Sequence, residues 1–425
     1  MSMAGGFLGG AKDRLLPAAI PFRFFVSAAL FHLLAWGALF LAADEVASFR
    51  GGAGPALAAI HLLTLGVFAM TAIGASLQLF PVVTRRALTR HWPGHLVFAL
   101  ILPGTALLSL GMATYGFDAM RLGAILVGAG FAVFVAITAS NLRGASAIPA
   151  VAAHGWLALA CIVFLVTLGV LLVWNLEAGF LTDHGTYAVL HLVLAVFGFM
   201  GSLVLGLSLV LIPMFILSRS LPGGPGWAQL GLAVVALVAF SAAALRGSPW
   251  LLGLAIVAGF GAAGAHLWQM LKTMKQRMRK RLGVSFLLIR VSWANLLLAL
   301  FLIAAWHMGI EFPNAPALIV FTLLAGWLLT FLCGVLQRIM PFLASMHAAG
   351  KSGLPPLMSE LAGESPLKLH AVCHLSALIV CATGIVLDHA LLMRAGAATG
   401  LIGAAGFAVF TLKIARKASA ARPAR

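Results

Sequence analysis

The chain has 425 residues, of which 62% are hydrophobic and only 9% are charged. Soluble domains carry about 25% charged residues, so this composition excludes a water-soluble enzyme and indicates a polytopic membrane protein. The formal net charge of +17 would be typical of nucleic-acid binding in a soluble chain. Here most of the cations flank apolar segments, as they do in cytoplasmic loops. We therefore expect the lipid bilayer as a partner and no nucleic acid.

Twelve segments have the length of about 20 apolar residues that a helix needs to cross the hydrocarbon layer. They do not alternate polar and apolar residues, which excludes a β-barrel. The sequence therefore predicts an all-α polytopic membrane protein with a single membrane domain over residues 1–425. In chain order the predicted spans are 19–43, 55–81, 93–114, 119–140, 151–174, 186–213, 226–245, 249–271, 288–308, 314–341, 369–388 and 391–413.

The charges of the connecting loops predict the orientation of these spans. With the N-terminus inside, only Arg50, Arg121, Arg246 and Arg394 among the 27 Lys and Arg residues fall on the outer side. Most of the ten acids fall on that outer side: Asp44, Glu45, Asp118, Glu177, Asp183, Glu311 and Asp388. Because cytoplasmic loops are enriched in Lys and Arg, we expect both termini to be cytoplasmic. The expected location is a bacterial-type inner (plasma) membrane, crossed many times.

One motif, G-x7-G-x6-P, recurs at every fourth predicted helix. This recurrence predicts three four-helix repeat units, approximately 1–148, 149–282 and 283–425, arranged around a pseudo-threefold axis. The three copies are Gly66, Gly74 and Pro81 in helix 2, Gly198, Gly206 and Pro213 in helix 6, and Gly326, Gly334 and Pro341 in helix 10.

Each glycine pair is spaced by a little over two helical turns and so shares one helix face. Small residues on one face allow another helix, or a flat ligand, to approach the backbone closely. Two interpretations stay open, helix packing and a ligand pocket. The pocket interpretation predicts that Gly66, Gly74, Gly198 and Gly206 line it, together with the neighbouring Phe68, Phe197 and Phe199.

Histidines inside apolar helices are costly and often functional. His61 lies five residues before Gly66, and His191 lies seven residues before Gly198. Both helices run inward, so both imidazoles are expected in the outer third of the bilayer. Each is either hydrogen-bonded or bound to a metal. His32 in helix 1 and His307 in helix 9 have weaker claims on the same layer.

A second candidate metal site is the H-x2-C-H sequence at the start of helix 11. His370 and His374 are four residues apart and share a helix face, with Cys373 between them. Copper or zinc would suit these ligands. The alternative is that all three are polar residues at the inner membrane surface. The four cysteines of the chain include no C-x-x-C pair, which argues against a disulfide framework.

The histidine and glycine pattern of helices 2, 6 and 10 resembles subunit I of the haem–copper oxidases. It is most similar to the C-type oxidase branch and to the related NnrS family of the nitric-oxide response. The resemblance implies twelve helices in three arcs, and haem ligation by His61 and His191. Two departures stand out: Ile319 and Phe321 occupy the positions of the H-x-H pair of helix 10, and helix 7 lacks the copper-binding histidine pair.

The resemblance therefore implies an oxidase-like protein that binds haem, with copper as a further candidate, and that does not carry out full oxygen reduction. Its expected setting is respiration or nitric-oxide or metal stress, with a respiratory or redox subunit as partner. Any enzymatic activity would be that of an oxidoreductase. Two alternatives remain open: a small-molecule or metal-ion transporter, and a cofactor-free assembly or partner subunit.

Overall fold

The computed structural model describes residues 14–88, 90–145, 148–219, 223–352, 361 and 363–420. These residues contain no strand and form twelve helices, each long and apolar enough to cross a membrane, which confirms the predicted all-α class and the number of spans. The helices are α1 Ala19–Leu41, α2 Pro55–Thr84, α3 Trp92–Thr114, α4 Phe117–Leu142, α5 Pro149–Ala178, α6 His184–Ile216, α7 Gly224–Arg246, α8 Pro249–Lys275, α9 Val284–His307, α10 Ala315–Ala348, α11 Glu364–Val386 and α12 Ala390–Ser419.

Several helix ends follow directly from local sequence. Proline occupies the first turn of α2, α5 and α8, where a missing N–H costs nothing. Gly179 and Gly247 end α5 and α7 with φ values of 62° and 63°, a left-handed conformation that favours glycine. Asp183 caps α6 by accepting a hydrogen bond from the Thr186 backbone N–H at 3.0 Å. Hydrogen bonds from the side chain and from the backbone N–H of Thr186 lower the pKa of the Asp183 carboxyl below its ordinary value.

Helices α2, α6 and α10 form the centre of the bundle. Their side chains are mostly buried, whereas only a minority of those of α7 and α8 are, as expected for helices that face lipid. Each central helix contains a π-helical segment: Leu62–Ala69, Leu194–Gly201 and Thr322–Leu329. The segments of α2 and α6 both contact that of α10. In all three, the first glycine of the repeated motif is the fifth residue of the segment.

The glycines of the repeated motif are points where a neighbouring helix approaches closely. A Cβ atom on Gly66 or Gly74 would lie within 3.0 Å of Phe31 or Phe24 of α1. The same holds for the glycines of α6 against α5 and for those of α10 against α9. The first helix of each predicted repeat thus packs on the glycine face of the second.

The remaining helices close a ring around this centre. Helix α12 contacts α1, α4 contacts α5, and α8 contacts α9. Two of these junctions carry an ion pair at the same end of the bundle, Arg394 with Asp44 and Arg121 with Glu177. We call this end the acidic end. At the opposite, basic end, Arg338 of α10 donates to the hydroxyl of Ser285 at 2.7 Å.

The packing predicts the effect of adding a single methyl group to a motif glycine. Gly66→Ala should lower the apparent melting temperature in detergent, because overpacking costs about 1–3 kcal/mol, more than the ~1 kcal/mol that alanine gains in helix propensity. Gly37→Ala in α1 is the matched control, since a Cβ there meets no atom within 4 Å. A Gly66→Ala protein as stable as Gly37→Ala would contradict the packing role.

Candidate functional site

An apolar cavity of about 710 Å³ opens at the acidic end and extends between α2, α6 and α10. Its volume falls in the range of roughly 300–1,000 Å³ typical of cofactor and small-molecule pockets. Among the described residues that line it, Arg50 is the only one that is always charged. The other polar residues of the lining include His61, Thr64, His184 and His191.

His61 and His191 face each other across this cavity. Their ring centroids are 6.4 Å apart, and the ring planes are inclined by 27°. The Nδ1 atom of His61 lies 3.0 Å from the carbonyl oxygen of Leu57, and that of His191 lies 3.0 Å from the carbonyl oxygen of Leu165. A carbonyl oxygen only accepts, so Nδ1 carries the proton in both rings. Each Nε2 atom is therefore left with its lone pair.

The position of His191 depends on a glycine of α5. A Cβ atom on Gly169 would lie 2.9 Å from Cε1 of His191. This helix can therefore approach the imidazole closely only because residue 169 has no side chain. The carbonyl group of Leu165, one turn earlier in the same helix, accepts the Nδ1 hydrogen bond and fixes the orientation of the ring.

Some of the residues that the sequence predicted for the pocket line the cavity, and others do not. Phe68 and Phe199 line the cavity, and so does Phe321, which occupies a ligand position of the oxidase pattern. The predicted pocket-lining glycines do not line it. They face α1 and α5, because their bare backbone is covered by the packing of those helices: Gly66, Gly74, Gly198 and Gly206.

A second group of histidines lies outside the cavity lining. His32 of α1 joins His370 and His374 of α11, and one ring nitrogen from each lies within 4.8 Å of the others. All three rings are at most 1% exposed, so His370 and His374 are core residues rather than interfacial ones. Cys373 does not belong to this group. It is half-buried on another face of α11, with its Cβ atom beside Gly403 of α12.

His32 is the member of this group that the sequence did not place there. It had a weaker claim on the layer of His61 and His191, and its ring lies 5.9 Å from that of His370, centroid to centroid. Its place depends on the contact between α12 and α1, which brings the two ends of the chain together. Sequence spacing within one helix carries no trace of that contact.

A third polar group joins α5, α7 and α8. The amide of Gln229 donates to Nε2 of His154 at 3.0 Å, and its oxygen accepts from Nδ1 of His266 at 3.2 Å and from Gln269 at 3.0 Å. His154 in turn donates from Nδ1 to the Ala150 carbonyl at 2.8 Å. The network ties three helices together by hydrogen bonds, which is a structural role.

Comparison of the chain with models of known protein families and with curated proteins gives no match. The chemistry of the interior is therefore the basis for any functional inference. The buried side chains of the described residues include histidines and cysteines but no Asp, Glu, Lys or Arg. Neutral imidazoles are thus the principal polar ligands that this interior offers.

The three-helix network predicts a loss of stability on substitution of its central residue. Gln229→Leu should lower the free energy of unfolding by about 1–3 kcal/mol, because it leaves buried nitrogens of His154 and His266 without partners. Unfolding by SDS from mixed micelles measures the change. Gln276→Leu, exposed at the end of α8, is the control and should have little effect. Equal stability of the two variants would argue against the network.

Proposed function

We propose that the cavity binds a haem through His61 and His191 in an oxidase-like membrane protein related to the C-type oxidases and the NnrS family. The observation that carries this proposal is the pair of imidazoles in an apolar cavity, each with Nδ1 bound to a backbone carbonyl and Nε2 free. The expected setting is respiration or the response to nitric oxide or metal stress.

The two histidines fit a shared metal. Metal-ligating histidines usually donate their second ring N–H to a carbonyl or carboxylate, as both do here. Their ring centroids are 6.4 Å apart, so both rings border the same part of the cavity.

When bound, a haem would supply one-electron chemistry or binding of a diatomic gas. His61 and His191 would hold its iron, and the apolar walls of the cavity would exclude water. Arg50 at the mouth donates to the carbonyl groups of Ala47 and Phe49, and its remaining N–H groups suit the carboxylates of an amphiphilic cofactor.

Full oxygen reduction is not part of this proposal. Ile319 and Phe321 replace the two ligand histidines of helix 10 in the oxidase pattern, and Phe321 lines the cavity with an aromatic ring. Helix α7 has no histidine to hold a copper ion beside the haem. The residues present suit a single haem in this cavity and do not suit a haem–copper pair.

We also propose three four-helix units with pseudo-threefold symmetry and cytoplasmic termini. The equal position of the motif glycine in each π-helical segment supports the repeat. So does the packing of α1, α5 and α9 on equivalent glycine faces. The orientation is supported by the clustering of acids at one end and of Lys and Arg at the other.

Two alternative functions have less support. A proton-coupled transporter needs a charged relay near the midplane, and the buried part of the described residues holds no Asp, Glu, Lys or Arg. A cofactor-free assembly subunit has no use for two imidazoles held with free Nε2 atoms in an open cavity. Haem content distinguishes both alternatives from the proposal.

Haem binding is tested by the reduced-minus-oxidised optical spectrum of protein purified from haem-replete cells. The native protein should show a Soret band, and His61→Ala and His191→Ala should each lose most of it. His307→Ala, exposed at the end of α9, is the control and should retain the band. Size-exclusion profiles confirm folding. A colourless native protein, or a Soret band that both substitutions leave unchanged, would contradict the proposal.

The orientation is tested with two single cysteines placed at opposite ends in a Cys373→Ser background. Met278 and Met308 are equally exposed, at 68%, and the other native cysteines are buried. In intact cells a membrane-impermeant maleimide should label Met308→Cys and not Met278→Cys. Permeabilised cells should give labelling of both. The reverse pattern would invert the topology.

A further inference from the structure

The three buried histidines outside the cavity form a site of their own where α1, α10, α11 and α12 meet. One ring nitrogen of each of His32, His370 and His374 lies within 4.8 Å of the others. The ring of Phe407 from α12 covers the cluster, 5.0 Å from that of His370. We propose that these histidines bind one monovalent copper ion, independently of any haem in the cavity.

His374 is held in the tautomer that a metal ligand needs. Thr330 of α10 donates its hydroxyl hydrogen to the Ala325 carbonyl at 2.8 Å, so its oxygen accepts from Nε2 of His374 at 2.7 Å. The proton of the ring is therefore on Nε2, and Nδ1 carries the lone pair. That Nδ1 atom is buried and has no hydrogen-bond partner among the described residues.

His370 has no hydrogen-bond partner at either ring nitrogen among the described residues, although its side chain is fully buried. A buried polar group without a partner is costly, and native proteins rarely leave one unexplained. The nearest aromatic neighbours, His32, His374 and Phe407, contact its ring without a hydrogen bond. A metal ion satisfies the lone pair that these neighbours leave open.

His32 links the cluster to the cavity through Trp36. The indole N–H of Trp36 donates to Nε2 of His32 at 2.9 Å, and the Trp36 side chain also lines the cavity. A neutral imidazole has one acceptor nitrogen, so the indole and a metal ion compete for the same lone pair. Ligation by His32 therefore releases the Trp36 N–H. This competition distinguishes a ligand from a merely buried histidine.

The charge of the surroundings selects the ion. All three ligands are neutral, and no Asp or Glu is among the buried side chains of the described residues to compensate a cation. The cost of burying an ion without a counter-charge rises steeply with its charge. A monovalent ion that accepts imidazole ligands therefore fits better than a divalent one, and Cu⁺ meets both conditions.

The test is anaerobic Cu⁺ titration of the purified protein against a colorimetric competing chelator. The native protein should bind one Cu⁺, and His370→Ala and His374→Gln should lose this binding. His374→Gln keeps an amide N–H for Thr330 and so protects the fold. His266→Ala, a buried histidine outside the cluster, is the control and should bind as the native protein does. X-ray absorption should show nitrogen ligands at about 2.0 Å.

The Cu⁺ affinity of a Trp36→Phe variant tests specifically whether His32 is a ligand. Removal of the competing indole N–H should tighten Cu⁺ binding by about two- to tenfold, the worth of one hydrogen bond. Weaker or unchanged binding in Trp36→Phe would overturn the role of His32. Copper retained by both His370→Ala and His374→Gln would overturn the site. Tighter binding of Zn²⁺ than of Cu⁺ would overturn the choice of ion. None of these outcomes depends on haem at His61 and His191.

Discussion

The close approach of α1, α5 and α9 to the glycine faces of α2, α6 and α10 is the constraint on which the rest of the bundle depends. In lipid the hydrophobic effect does not drive helices together, so packing of small residues decides which faces meet. Here those faces are turned outward from the centre, against the first helix of each unit. The opposite faces of the three central helices are then left to surround a cavity. The glycines therefore shape the cavity indirectly, because their packing decides which faces of the central helices are turned toward it.

In the resulting interior, the principal polar groups that can bind a metal are imidazoles. Imidazoles are neutral when buried, so they avoid most of the cost that a carboxylate or ammonium would incur in the membrane. The hydrogen-bond partners differ from one histidine group to the next. His61 and His191 donate to backbone carbonyls and keep a free nitrogen in the cavity. His154 and His266 are bound to Gln229, and among the buried histidines of the described residues only His370 has no hydrogen-bond partner at either ring nitrogen.

Hydropathy could predict the spans, because each one meets the same length and apolarity requirement. It could not predict the π-helical segments, since one extra residue per turn changes neither composition nor mean hydropathy. Pairing of His61 with His191 followed from their common depth in two helices. The place of His32 did not, because it requires contact between helices more than 300 residues apart. Cys373 was misplaced since a one-residue offset from His374 turns its side chain to another face.

Trp36 ties the two histidine sites to each other. One part of its indole forms cavity wall, and its N–H is bound to His32 in the other site. Gly400 of α12 lies against the indole ring and leaves no room for a Cβ atom, so the ring is held in a narrow slot. A change in the partner of His32 therefore leaves the indole N–H without its acceptor, while the ring keeps its place in the cavity wall.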